Sequence, residues 1–223
     1  MKKVLSVLLV AVALVCAACN GNDPVLGGGE VVANPTTPTD STRMLVAYFS
    51  WGGTTQRMAQ QIATLTGADL FRIEPVTPYP TEYTPTTEVA RAEKEADARP
   101  AIKSTVSGWE QYDIVFIGCP VWWWTTPMII CTFAESYDFT GKTVVPFCTY
   151  ASTYRDETLA HIAELTPDAN HLTGCGLTSS RVNESNVAGW LQRINLIPTN
   201  NENNYFFPQS MGIVYRYAVS REQ

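Results

Sequence analysis

Apolar runs of strand length alternate with amphipathic helical stretches along this chain, which predicts a three-layer α/β domain with a five-stranded parallel sheet and helices on both faces. Two observations carry that prediction. The runs Leu45 to Phe49, Ile114 to Gly118 and Val144 to Cys148 are apolar on both sides, as strands covered by helices on each face must be. Between and after them, apolar residues recur at helical spacing: Met58, Ile62 and Leu65; Leu159, Ile162 and Ala163; Val187, Leu191 and Ile194. Short crossovers joining parallel strands are right-handed.

The N-terminus precedes that domain as a leader. Lys2 and Lys3 open onto an unbroken apolar stretch from Val4 to Ala18, the arrangement of a signal peptide over residues 1–18. The small residues Ala17 and Ala18 before Cys19 resemble a bacterial lipobox, with Cys16 where Leu is usual. That resemblance implies lipidation of Cys19 and a protein of the bacterial cell envelope, tethered to a membrane and facing outside the cytoplasm. Residues 19–42 contain Gly27 to Gly29 with interspersed Pro and Thr and no apolar periodicity, so they read as a flexible linker. The folded domain then spans 43–197.

The first strand, Leu45 to Phe49, runs into Ser50, Trp51, Gly52, Gly53, Thr54 and Thr55, directly before a helical stretch from Gln56 to Leu65. This is a phosphate cradle: the glycines allow a tight turn with N–H groups facing one point, and the helix adds the positive end of its dipole. Hydroxyls of Ser50, Thr54 and Thr55 supplement it. Neither G-x-x-x-x-G-K-[ST] nor G-x-G-x-x-G is present, which argues against a P-loop NTPase or a dinucleotide-binding Rossmann enzyme.

A second strand follows at Leu70 to Ile73, and VTPYPTEYTPTT reads as a proline-rich loop before a charged helical stretch, Glu88 to Arg99, with solvated charges. The third strand ends in Gly118, Cys119, Pro120, Val121, Trp122, Trp123 and Trp124, and the fourth in Thr149, Tyr150, Ala151 and Ser152. A weaker fifth strand lies near His171 to Leu177. Ligands of open α/β sheets bind beyond the carboxyl ends of the strands, so three loops converge on one site. Phosphate donors at one end and flat aromatic surface at the other suit a heteroaromatic nucleotide. Three consecutive Trp cannot all face one core, so at least one is exposed or faces the ligand.

At these residues the chain resembles the flavodoxin family, and more narrowly its exported, lipoprotein-like branch. The resemblance covers roughly Met44 to Leu196. It rests on Ser50, Gly53 and Thr55 in a Ser-x-x-Gly-x-Thr loop, on Gly118, Pro120, Trp122 and Trp123 in a G-x-P-x-W-W phrase, and on Tyr137 to Thr149. It implies strand order 2-1-3-4-5 and noncovalent FMN. The phosphate would lie on Ser50, Gly53, Thr54 and Thr55, and the ring between the Trp122–Trp123 and Tyr150 loops. It further implies electron transfer or flavin-dependent reduction with a redox partner the sequence does not name. The chain departs from the family at Tyr150 to Thr153, where a glycine-rich third loop is expected, and export raises the alternative of a binding module that has lost FMN. Residues 198–223 lie beyond the family core; Ile213, Tyr215 and Tyr217 alternate there as in an edge strand.

The formal net charge is −6, which loss of Lys2 and Lys3 makes more negative, so nucleic acid is excluded as a partner. The cysteines Cys131, Cys148 and Cys175 sit in apolar stretches and read as buried free thiols. The histidines, His161 and His171, read as structural or solvent-exposed.

Overall fold

The computed structural model describes residues 38–39 and 41–199; the leader, Cys19, most of the linker and the extension from residue 200 onward lie outside the described residues. Its elements alternate as β1 (Met44–Tyr48), α1 (Thr54–Thr66), β2 (Asp69–Arg72), α2 (Tyr83–Glu95), β3 (Ile114–Pro120), α3 (Met128–Glu135), β4 (Thr143–Tyr150), α4 (Arg155–Glu164), β5 (Asn170–His171), β6 (Cys175–Thr178) and α5 (Glu184–Arg193). Every strand pairing is parallel, in the order β2-β1-β3-β4-β5, with β6 also on β4. This is the expected flavodoxin-like order.

The alternation of side chains along the central strands divides the core. Val46, Phe116 and Phe147 point to one face, where Met58 and Ile62 of α1 and Val187, Trp190 and Leu191 of α5 cover them. Leu45, Val115 and Ile117 point to the other, under Ile129, Ile130 and Phe133 of α3 and Ile162 of α4. Both layers end at the carboxyl edge of the sheet, which fixes the three loops that follow β1, β3 and β4 side by side.

Two elements differ from the sequence expectation, and one helix, α3, falls outside it. The helix α3, MIICTFAE, is apolar on nearly every side and six of its eight residues are buried, so it carries no amphipathic stripe. The helix α2 begins at Tyr83, inside the expected proline-rich loop: Pro85 falls in its first turn, where the N–H has no intrahelical partner and proline is tolerated. Its charges are not all solvated either, since Glu93 accepts a hydrogen bond from the half-buried Tyr79 hydroxyl at 2.8 Å.

The fifth strand is two short pieces with Leu172 to Gly174 between them. The cause lies in β4. Leu172 N donates to Val144 O at 3.1 Å, so alternate residues of β4 turn their main-chain groups toward this edge, and the next of them is Pro146, which has no N–H to offer. At Gly174 the chain presses against that proline: a Cβ there would lie 2.7 Å from Pro146 O.

Candidate functional site

The cradle takes shape where β1 hands over to α1. Ser50 is buried, and its Oγ accepts a hydrogen bond from Gln56 N at 3.2 Å, closing the turn from within while its O–H can still donate. Gly53 is the N-cap of α1 with φ 84°, a left-handed conformation that glycine adopts without steric cost. The first turn of α1 contains no acidic residue and its N-cap has no side chain to satisfy the N–H groups, so the helix dipole faces out unneutralised. Among the described residues nothing lies within 4 Å of where a Cβ would stand on Gly52 or Gly53, so the backbone is open on that side. Thr54 is half-buried at the mouth. The hydroxyl of buried Thr55 points elsewhere, meeting Thr149 Oγ1 at 2.7 Å and tying the first loop to the third.

The second loop is a two-residue turn. Trp122 and Thr125 exchange main-chain hydrogen bonds at 3.0 and 3.1 Å, and the residues between them, Trp123 and Trp124, both have positive φ, 45° and 73°. That backbone normally selects Asn-Gly, and a bulky residue in it is strained by about 1–3 kcal/mol. The surroundings impose it. Trp123 Nε1 donates to Thr87 O on α2 at 2.8 Å, and Lys94 Nζ donates to Trp123 O at 2.6 Å while lying 5.0 Å from the Trp124 ring centre. From α4, His161 Nδ1 meets the Thr125 and Thr126 hydroxyls at 2.8 Å each. The three tryptophans therefore diverge. Trp122 stands edge-on to Phe49 and Tyr79, Trp123 lies against α2, and Trp124 is 56% exposed.

The third loop faces this turn. Tyr150 is half-buried, Ala151 to Thr153 are exposed, and Tyr154, at φ 63°, stacks obliquely on Trp124 with ring centres 5.9 Å apart. Val121 N donates to Thr149 O at 2.9 Å, joining the bases of the two loops. A cavity of about 320 Å³ opens among Ser50 to Gly52, Thr54 and Thr55, Pro120 to Trp122, and Thr149 to Ala151. A second, of about 470 Å³, shares Trp51, Val121, Trp122 and Ala151 with it and runs between the Trp123–Trp124 turn, α2 and Ser152 to Tyr154. The expected residues thus divide: Ser50, Gly52, Thr54, Thr55 and Tyr150 line the first cavity, Trp123 and Ser152 the second, and Trp122 both, while Gly53 lines neither. Trp51 borders both, with its Nε1 donating to Pro80 O at 2.8 Å.

Trp124 and Thr153, named in the second and third loops, also line the second cavity, and with them Tyr154 and the α2 residues Tyr83, Thr86, Thr87 and Ala90, which the sequence left unassigned. The run of three tryptophans marked Trp124; nothing in the charged pattern of α2 marked that helix. The four cysteines from Cys119 onward are free thiols, three buried and Cys175 half-buried.

His161 is the titrating pin of this arrangement. Burial lowers its pKa, opposed by Glu164 and aided by Arg99 and Lys94, with Asp97 raising it. A histidine held neutral in the fold contributes stability above its ordinary pKa, lost as pH falls through the window between its unfolded and folded values. Acidification below about pH 6.5 should therefore lower the urea midpoint more in the wild type than in His161→Gln. Equal acid sensitivity of the two proteins would remove His161 from this role.

A family model described as flavodoxin matches residues 43–194. A candidate flavoprotein from Bacteroides eggerthii is 35% identical, with 70% of this chain and 99% of that one covered and a TM-score of 0.60. Another, from Bacteroides uniformis, is 32% identical over 68% and 99% of the two chains, with a TM-score of 0.61. A flavoprotein from Lactobacillus acidophilus, solved in complex with FMN, shares the fold at 22% identity and a TM-score of 0.57, covering 67% of this chain and 98% of its own. No curated protein matches the chain.

Proposed function

This chain belongs to the flavodoxin family, and we propose that it binds FMN and serves in electron transfer or flavin-dependent reduction, held to a membrane outside the cytoplasm. The observation that carries the cofactor is the uncapped, glycine-led start of α1 opening on a cavity that Trp122 and Tyr150 border from two other loops. The residues present fit the group. Main-chain N–H groups from Gly52 to Thr55 with the Ser50 and Thr54 hydroxyls would hold a phosphate dianion, and the backbone is open where it would lie. Trp122 and Tyr150 would orient the flat ring, and FMN bound there would supply the redox chemistry. The FMN in the Lactobacillus relative supports the same assignment.

The aromatic walls make the reading testable. Stacking should quench flavin fluorescence, and among Trp122→Ala, Trp123→Ala and Tyr150→Ala at least one should restore it and lose about 1 kcal/mol of affinity, the scale of an aromatic contact. Trp122 and Tyr150, which line the cradle's own cavity, should matter more than Trp123. Three variants indistinguishable from the wild type would move the ring out of this site.

Attachment rests on Lys2, Lys3, the apolar run and Cys19. Acyl chains on Cys19 should keep the protein in the membrane fraction at high salt, because a net negative surface offers anionic lipid no electrostatic hold. Cys19→Ser should release it. Unchanged fractionation of that variant would eliminate the lipid anchor.

A further inference from the structure

The edge of the sheet beside β4 carries a second concave site. A cavity of about 630 Å³ lies between α4, β6 and α5, and it shares Tyr150 with the cradle's cavity. Arg155, Arg181 and Arg193 all line it. Among the described residues in its walls, Asp156 is the one acidic side chain, and it pairs with Arg155 at 2.7 Å. Arg181 and Arg193 form no ion pair among the described residues. Three arginines, one of them paired with Asp156, thus line one hollow on a chain whose formal charge is −6.

The fold makes room for these side chains. The stem of Arg155 lies across β6 at Gly176, where a Cβ would stand 2.3 Å from Arg155 Cγ and 2.7 Å from Cδ, so any other residue would displace it. On α5, Gly189 lies beneath Arg193, whose guanidinium would be 3.6 Å from a Cβ there. Burial pushes the Cys175 thiol up to about 11, although Arg193 and Arg155 both act to lower it. A thiol that stays protonated is no nucleophile, so the chemistry this hollow offers is that of its guanidinium groups.

We propose that this edge cavity is a second, flavin-independent site that binds a pyrophosphate-bearing anion through Arg155, Arg181 and Arg193. Arginine forks match phosphate oxygens two at a time in charge-assisted bonds. The cavity has the size of a small-molecule site rather than of a single inorganic ion. Because Tyr150 borders both cavities, an anion held here lies next to the third loop of the cradle.

Calorimetric titration of the full chain with inorganic pyrophosphate tests this. The double variant Arg181→Gln/Arg193→Gln should weaken binding by at least about tenfold, the scale of one lost charged hydrogen bond, with its urea midpoint unchanged. Gly53→Val, which disables the cradle, should leave pyrophosphate binding intact, so failure of the FMN assignment would not touch this result. A parallel titration with ADP separates the sources of the same chemistry: tighter binding than pyrophosphate assigns a nucleotide, and equal binding assigns the pyrophosphate group alone. Three results would overturn the site: no binding up to about 1 mM, equal affinity in the double variant, or loss of binding in Gly53→Val, which would put the anion in the cradle.

Discussion

Alanine at Gly118 is expected to destabilise the domain by about 3 kcal/mol, the upper range for forcing one methyl group into a packed core. A Cβ at this position would stand 1.9 Å from Phe147 Cζ and within 2.3 Å of both neighbouring ring carbons, distances no folded protein sustains. Gly118 and Phe147 are register partners in β3 and β4, and Phe147 is fully buried. Its ring therefore has nowhere to swing, and the strand itself must move. The urea midpoint reads the loss directly. Gly52→Ala is the matched control: no described residue lies within 4 Å of its Cβ and its φ is not positive, so its midpoint should stay near that of the wild type. Equal midpoints for the two variants would mean that the glycine of the G-x-P-x-W-W phrase is not there for packing.

Valine at Gly53 should weaken FMN binding by about tenfold or more. At φ 84° this residue sits where a β-branched side chain collides with its own backbone, at a cost of at least about 1–2 kcal/mol, and about 1.4 kcal/mol is a factor of ten. Relief of that strain rotates the peptide and takes the first N–H groups of α1 off their common focus. Asparagine tolerates the left-handed region better, so Gly53→Asn should lose less affinity than Gly53→Val. Comparable losses in both would point to the side chain's bulk in the cavity rather than to the backbone.

Much of this fold is legible because its central strands are apolar on both faces and α1 and α5 carry single stripes of core residues. The exceptions have local causes. The helix α3 is buried nearly all round and so shows no period, Pro85 disguises the first turn of α2, and Pro146 breaks the fifth strand from the neighbouring one. The cradle was legible from Ser50 to Thr55 because glycines before a helix have few other uses. Its link to the third loop was not, since Thr55 and Thr149 are 94 residues apart in sequence and meet only through the parallel register. Nor could the run of Trp122, Trp123 and Trp124 disclose three different directions. Those depend on a left-handed turn that the residues themselves disfavour and that α2 and His161 impose from outside.

The most direct test of the account is a fluorescence titration of the full chain with FMN and, separately, with riboflavin. The two ligands differ by the phosphate alone, and the phosphate is the group proposed to lie at the open start of α1. Saturable quenching by FMN at one equivalent, with riboflavin binding far more weakly and Gly53→Val removing that difference, is the predicted result. Equal affinity for the two flavins, or no quenching by FMN at micromolar concentration, would contradict it.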